Sequence, residues 1–294
     1  MATPCRTYNI LLLACQKSNR ERMVSLDLKT DKAYELKEFV NLLGILDEAS
    51  LKVGKSGLHI KAMDPSSISM VEADLSKNLF SKWDVDEGTI TVDVDRIREA
   101  LRHIKKADKL SVNTIKTDKE ATMLQFSIGK EKIEIPYSNE TKEEPKREPK
   151  TEFTATATLQ AKPLKDFLAK AKKIDSHVLV VAKNNKLILF CKGDGGNIRA
   201  EMPAEVQTKK EVAARFTIEF LSKMLKAAGK NTKISMDLKT DEPVKLTYGS
   251  DNWKVKYWLA PYIFDAVEAR DELVKEAMSK SNTEPAPVKK RLKA

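Results

Sequence analysis

The sequence predicts an α+β chain made of two similar domains, and three features carry that expectation. The order of elements over residues 23–137 returns over residues 152–263. The extended segments alternate apolar and polar side chains, the mark of strands with one covered face. Each helical segment carries an apolar stripe, which suits it to lie on one face of an antiparallel sheet. A repeat of more than 100 residues is too long for a solenoid unit and reads as a duplicated domain.

Taken in order, residues 1–22 match neither half of the repeat. Ile10 to Ala14 is a short apolar run after one arginine, and Leu12-Leu13-Ala14-Cys15 faintly resembles a lipoprotein cleavage site. The run is short for a signal peptide, so the segment reads as an N-terminal extension, expected to be disordered, or as sequence upstream of a start at Met23. Each half then begins with a short strand and a helix, Tyr34 to Ala49 in the first and Pro163 to Ile174 in the second. Strands come next at Gly57–Met63 and Ile68–Leu75, and at His177–Lys183 and Lys186–Lys192. A second helix comes after a β-like run: Asp95–Lys106 after Thr89–Val94, and Ile218–Ala228 after Val212–Phe216. Each half closes with three short strands and a proline, at Ile133-Glu134-Ile135-Pro136 and at Trp258-Leu259-Ala260-Pro261.

Five segments result: an extension at 1–22, domains at 23–137 and 152–265, a connector at 138–151, and a basic tail at 266–294. The connector, Ser138 to Thr151, has alternating charge, two prolines and no aliphatic residue. Such a composition builds no core and predicts an exposed link. In the tail, Ala266–Lys280 reads as a solvated helix, and Ser281–Ala294 as a disordered end with a cluster at Lys289, Lys290, Arg291 and Lys293.

Composition permits sizeable cores, with 41% apolar and 33% charged residues. No run of 18 or more apolar residues exists, so no membrane span is expected. The three cysteines, Cys5, Cys15 and Cys191, and the three histidines, His59, His103 and His177, are scattered. No disulfide framework and no metal site can be read from them, and no cofactor is expected. The net charge of +10 points to a polyanion, either nucleic acid or an anionic membrane surface, against the plain alternative of a lysine-rich protein. Residues 1–22 carry +3, residues 266–294 carry +2 and the two-domain body keeps +5, so placement matters more than the total.

At about 100° per residue, Ile97, Ala100, Leu101 and Ile104 form the buried stripe of Asp95–Lys106, leaving Arg98, Arg102, His103 and Lys106 outward beside Asp95 and Glu99. In Pro163–Ile174 the buried set is Leu164, Phe167, Leu168 and Ala171, opposite Lys162, Lys165, Lys170 and Lys173, with Asp166 among them. In Ile218–Lys230 it is Leu221, Met224, Leu225 and Ala228, opposite Lys223, Lys226 and Lys230. The first helix differs: its outward Lys37, Asn41 and Glu48 are close to neutral, and its Leu42 and Ile45 exceed what one stripe requires. A charged outer face is what any surface helix shows, so these faces imply nucleic acid only if they converge.

Catalytic signatures are missing. Neither a G-x-x-x-x-G-K-[ST] nor a G-x-G-x-x-G motif occurs, and Gly193-Asp194-Gly195-Gly196 reads as a hairpin turn rather than a phosphate cradle. No G-x-S-x-G frame is present. Met63-Asp64-Pro65-Ser66 reads as a strand end and turn, with a catalytic Asp64 as the minority reading.

Three separated stretches carry a family likeness. Gly57-Leu58-His59-Ile60-Lys61-Ala62-Met63-Asp64-Pro65-Ser66 resembles the signature of proliferating cell nuclear antigen, the archaeal and eukaryotic DNA sliding clamp. Leu79-Phe80-Ser81-Lys82-Trp83-Asp84-Val85 is similar to the segment after that signature in archaeal members, and Lys256-Tyr257-Trp258-Leu259-Ala260-Pro261 to the closing strand. The resemblance covers about residues 23–265.

It implies a duplicated DNA-clamp fold in a trimeric ring, with antiparallel sheets outside and helices lining the inner face. Such a ring encircles double-stranded DNA without reading bases and tethers DNA polymerase. By the resemblance, Arg102 and Lys226 match positions that face DNA; Arg98, Lys106, Lys162, Lys165, Lys170, Lys173, Lys223 and Lys230 extend that set by helix geometry. Family partners dock a short peptide, for which the matching positions are Ile68, Met70, Pro243, Trp258, Leu259, Ala260, Pro261 and Ile263. Subunits join edge to edge, so Ile128–Ile135 is expected to pair with Asn197–Met202 of a neighbour. A clamp loader, flap nuclease and DNA ligase are the further implied partners, in a homo- or heterotrimer with no membrane role. The implied place is the cytoplasm beside the nucleoid, or the nucleus in a eukaryote. The polar connector departs from the family, which carries aliphatic residues there.

Two other classes compete with this reading. A sequence-preferring module of the TATA-binding-protein type is also a duplicated basic α+β chain, but it grips DNA with a sheet and paired Phe wedges. Here the basic residues lie on helices. An enzyme acting through Asp64 is the third class.

Overall fold

Along β1 (Leu26–Thr30) the side chains of Leu26, Leu28 and Thr30 are buried while Lys29 is exposed, the alternation of a strand with one covered face. The computed structural model describes residues 24–116, 122–145, 148–264 and 266–279. The N-terminal extension with Cys5, Cys15 and Met23, and the basic cluster from Lys289 to Lys293, lie outside the described residues. By contacts the chain forms two units, Met1–Glu148 with Gly249–Tyr257, and Pro149–Tyr248 with Trp258–Ala294.

In the first unit β1 is followed by α1 (Ala33–Leu42), β2 (Glu48–Gly54), β3 (Gly57–Met63), β4 (Ser69–Ser76), β5 (Lys82–Val85), β6 (Gly88–Asp93), α2 (Val94–Ala100), β7 (Leu110–Lys116), β8 (Thr122–Ile128) and β9 (Glu131–Ser138). The strands lie in the order β4-β3-β2-β6-β9-β8-β7-β1-β5, with antiparallel neighbours throughout. The second unit contains β10 (Ala155–Gln160), α3 (Ala161–Ala171), β11 (His177–Lys183), β12 (Lys186–Gly193), β13 (Gly196–Met202), β14 (Ala204–Thr208), β15 (Val212–Thr217), α4 (Ile218–Met224), β16 (Lys233–Leu238) and β17 (Val244–Gly249). Its strands run β13-β12-β11-β15 and β14-β10-β16-β17. Adding nine to a strand number of the first repeat therefore gives its counterpart in the second. The last strand, β18 (Trp253–Leu259), is the counterpart of β9; its residues through Tyr257 cluster with the first unit, beside β4. The chain's last described element is α5 (Val267–Met278).

The duplicated α+β architecture is as the sequence predicts, but four boundaries move. The first helix ends at Leu42 rather than Ala49, and Glu48 already belongs to β2. Leu42, Leu43, Ile45 and Leu46 are all at most 6% exposed. Helical spacing spreads those four positions too widely for one stripe, so the chain leaves the helix to bury them all. The surplus of apolar residues at Leu42 and Ile45 has the same cause. The missed β2 shifts the internal match by one strand: β2 and β3, not β3 and β4, correspond to β11 and β12. The helices expected to reach Lys106, Ile174 and Ala228 stop at Ala100, Ala171 and Met224. Leu101 and Ile104, and Leu225 and Ala228, are buried in the turns beyond the helix ends.

The tail helix is not solvated as expected. Val274 and Ala277 of α5 pack on Leu179, Val181, Ile188, Phe190 and Ala213 of the second unit's sheet, flanked by Phe264, Leu273 and Met278. The opposite face of that sheet meets α3, onto whose Ala171 carbonyl the Cys191 thiol is directed at 3.5 Å. In the first unit the corresponding face is polar, with Lys52 across from His59 and His59 across from Asp74. In the second, Leu179 faces Phe190 and Val181 faces Ile188. An apolar pair on both faces signals a strand covered from both sides.

Candidate nucleic-acid interface

Helices α3 and α4 of the second unit pack against each other. Ala161, Leu164, Phe167, Leu168 and Ala171 face the core from α3, and Ile218, Leu221 and Met224 from α4. Pro163 sits in the first turn of α3, where a missing N–H costs no helical bond. With the core side taken by apolar groups, charge is left outside. Residues 161–173 and 218–230 hold eight lysines and two carboxylates, Asp166 and Glu219.

These charges are gathered rather than dispersed. Lys162 Nζ lies 2.6 Å from Asp166, and Lys170 and Lys230 act on the same carboxyl. The Lys162 hydrogen bond first, and then the field of the three lysines, holds Asp166 below the usual carboxylate range. Lys223 pairs with Glu219 at 3.0 Å and, with Lys172, lowers that carboxyl as well. Lys162, Lys170, Lys173, Lys223, Lys226 and Lys230 are exposed. Lys165 departs from the expected set. It is half-buried, and its Nζ donates to the Ala228 carbonyl at 2.9 Å, tying α3 to the turn after α4. Lys172 is exposed in the same cluster and is missing from the expected set, because on the expected helix Pro163–Ile174 it falls at the flank of the apolar stripe and not opposite it.

The first unit is closer to neutral. Residues 33–42 and 94–106 hold six basic and four acidic side chains, and several are matched locally. Asp93 caps α2 by accepting from Arg96 N at 2.9 Å, as expected of an aspartate at that position. Arg98 is a correction. Its side chain is 24% exposed and held by Asp95 at 2.7 Å, with its guanidinium beside Gly44, so it does not stand out toward solvent. Arg102 is exposed and pairs with Glu99 at 3.1 Å, a surface pair weak enough to be exchanged for a phosphate. Lys106 lies 5.9 Å from the Tyr34 ring, and Lys37 Nζ donates to the Arg102 carbonyl at 2.5 Å.

The apolar docking positions divide by burial. In the first unit Ile68 is 37% exposed but Met70 only 2%. In the second, Trp258 and Leu259 are buried, Pro243, Ala260 and Pro261 half-buried, and Ile263 is 62% exposed. Met70 in the first unit, and Trp258 and Leu259 in the second, are therefore buried within their own units and not open at the surface. Met63 and Tyr262 are exposed and are missing from the expected set, although both lie inside or beside the stretches that carry the resemblance. Arg215 and His177 hold Tyr262: the rings of His177 and Tyr262 are 4.1 Å apart, and Tyr262 N donates to the Arg215 carbonyl at 2.7 Å.

Ion pairs fasten the described part of the connector to the first unit. Glu144 pairs with Lys52 at 2.7 Å, Glu148 with Lys61 at 3.3 Å, and Lys142 with Glu48. Lys142 N also donates to Ser50 Oγ at 3.0 Å. The expected edge strand is Glu131–Ser138, since Ile128 ends the preceding strand. Only Thr91 and Val92 of β6 meet its far end, at Ser138 and Tyr137, so residues 131–136 keep one side open among the described residues. Strand β13 pairs with β12 alone among the described residues.

Asp64 has structural partners. It is 3% exposed and accepts from Ser66 N at 2.9 Å, Ser69 N at 2.5 Å, Ser69 Oγ at 3.0 Å and Ser66 Oγ. Burial pushes its carboxyl up, and these bonds outweigh burial and hold it below the usual range. Gly193 faces Gly196 across the β12–β13 hairpin, a turn and not a phosphate cradle.

Residues 17–143 match the family model of the proliferating cell nuclear antigen N-terminal domain. A DNA polymerase sliding clamp of Methanococcoides burtonii is 28% identical over 242 residues, covering 80% of this chain and 97% of that protein. One from Thermococcus gammatolerans is 25% identical over 240 residues, covering 77% and 95%. Among solved structures, the A. fulgidus proliferating cell nuclear antigen bound to the C-terminal region of FEN-1 superposes with TM-score 0.71 at 28% identity, covering 82% of this chain and all of that one. The Thermococcus kodakaraensis protein, at 22% identity and TM-score 0.71, shares the fold.

Proposed function

We propose that the chain is a DNA sliding clamp of the archaeal-type proliferating cell nuclear antigen family, as the match over residues 17–143 and the similar clamps support, and that it works by topology and electrostatics and carries out no chemistry. As a sliding clamp it acts on DNA and with a DNA polymerase. The sheet-gripping, sequence-preferring alternative is not favoured, because the relatives are clamps and the cations sit on helices.

The observation that carries the mechanism is the charge of residues 161–173 and 218–230, around α3 and α4, with eight lysines against two carboxylates. Lysines held on helices meet phosphates without touching base edges, so the contact is independent of sequence and can slide. Arg102 and Lys106 of the first unit add to it, while Arg98 and Lys165 position their neighbours.

Assembly draws on the repeat. Strands β18 and β4 lie side by side, and their counterparts are β9 and β13, each with an open side. Pairing β9 of one chain with β13 of the next repeats that junction between molecules and removes two exposed edges per chain. Three such chains close the ring. For partner peptides the first unit offers the exposed Met63 and Ile68, with Met70 buried among its own residues, and the second offers the exposed Tyr262 and Ile263, with Pro243, Ala260 and Pro261 half-buried and Trp258 and Leu259 buried. The flap-nuclease segment bound to the A. fulgidus relative supports a flap nuclease as one such partner, and the clamp loader and DNA ligase belong to the same class. The place of action is wherever the DNA is, beside the nucleoid.

The test is polymerase run length on a primed circular template, with and without the clamp and its loader. The clamp is expected to lengthen the products, and cutting the circle is expected to release it over the end. Unchanged products, or retention on the cut template, would contradict the proposal.

A further inference from the structure

Among the described residues the covering of the second unit's sheet by α5 has no counterpart in the first repeat, where the matching face is polar. Its position relates it to one strand in particular. The helix is anchored near its start, where Arg270 Nη1 meets Asp241 Oδ2 at 2.7 Å. Its middle and end bury Val274 and Ala277 on the apolar face formed by Leu179, Val181, Ile188 and Phe190. Its last turn reaches the open side of the sheet. Lys192 of β12 pairs with Glu276 at 2.7 Å, and Arg199 Nε of β13 donates to the Ala277 carbonyl at 2.5 Å. A cation at a helix C-terminus meets both an unsatisfied carbonyl and the negative end of the dipole.

Strand β13 needs such support. It comes after a hairpin containing Gly195 and Gly196, neither of which touches anything within 4 Å of where a side chain would begin. Among the described residues it has a backbone partner on one side only. Ile198, Ala200 and Met202 share the face of Cys191, Leu189 and Leu187, which is turned to α3. Arg199 stands on the other face, across from Phe190. The strand is thus held between α3 and the end of α5, with Arg199 as the fastening on the α5 side.

We infer that α5 is an assembly element: it holds β13 in the extended, ordered form that receives β9 of a second copy of this chain. The inference rests on the proposed β9–β13 pairing. An edge strand already ordered loses less conformational freedom on pairing, so fixing it strengthens association without adding a contact between chains. Unseating the helix, or cutting its link to β13, weakens the ring while leaving the sheet's own strand order in place.

The experiment compares four full-length proteins by sedimentation velocity over a concentration series: wild type, Arg199→Met, Val274→Asp, and Ile133→Asp on the open part of β9. Far-UV circular dichroism and thermal melting check folding. Arg199→Met keeps the bulk of the side chain and leaves the α5 core contacts alone, so it remains informative if Val274→Asp misfolds. The expected result is that Arg199→Met weakens self-association roughly tenfold or more, with amide exchange in β13 faster in the isolated chain. Ile133→Asp is expected to dissociate the assembly with β13 exchange unchanged in the monomer. If Ile133→Asp assembles like wild type, the β9–β13 pairing itself is wrong. If Ile133→Asp dissociates but Arg199→Met has the wild-type dissociation constant, the pairing stands and the role given to α5 is overturned.

Discussion

Asp64 shows how a residue's meaning changes once its surroundings are known. In the sequence it is a carboxylate in a turn, open to a catalytic reading; in the fold it accepts from two backbone N–H groups and two hydroxyls and is almost closed to solvent. Replacing it in Asp64→Asn is expected to cost about 1–3 kcal/mol at pH 7, read from denaturant melts. Because the folded carboxyl is held below its ordinary value, its contribution is present above the unfolded value, about pH 4. It fades as pH falls through the folded value, so the gap between wild type and variant should close in acid. Cys191 offers a second check. Burial first, and the nearby Asp175 charge next, push its thiol up to about 11. In a Cys5→Ser, Cys15→Ser background, Cys191 is expected to react with a disulfide reagent at neutral pH only after denaturant is added.

At the scale of elements, apolar spacing located the helices and strands but not their ends. Helices α1, α2 and α4 are cut short because apolar residues just beyond them are buried in turns, a gain that periodicity alone cannot weigh against continuing the helix. The strand segments HVLVVAK and KLILFCKG were legible as strands. Their apolar residues on both faces were also the available signal that something covers the far side, and α5 is that cover. The connector shows the reverse case: its composition excluded a core, and the fold fastens it by ion pairs to Lys52, Lys61 and Glu48. Exposed pairs of this kind are screened by salt. Raising salt to about 1 M, where the screening length falls to about 3 Å, is expected to speed amide exchange and proteolysis at residues 140–145 while leaving β2 and β3 protected. Equal protection at low and high salt would show that charge is not what holds the connector.

For the whole molecule, the net charge of +10 says less than its division. Residues 161–173 and 218–230, around α3 and α4, keep six more basic than acidic side chains, eight against two, and residues 33–42 and 94–106 of the first unit only two more, six against four. Binding to DNA should therefore depend chiefly on the second unit. Lys170→Ala with Lys230→Ala is expected to weaken binding equally on unrelated sequences, and to lower the slope of log affinity against log salt by about one per lost phosphate contact. Arg98→Ala is expected to leave that slope unchanged, since its guanidinium is turned to Asp95. Filter binding across a salt series measures both, and an altered slope for Arg98→Ala alone would reverse the assignment.

Local patterns were enough to determine the duplication, the mixed α+β class and the placing of lysines opposite apolar stripes, because each depends on residues a few positions apart. The likeness of three short stretches pointed to the family. The rest was decided by tertiary structure. Burial turned Met70, Trp258 and Leu259 from surface into core, close packing ended three helices early, and contacts between distant segments brought α5 onto β11, β12 and Arg199 of β13. These outcomes depend on which residues far apart in the chain come to share a face, and a hydrophobic pattern fixes the side that must be covered without naming what covers it.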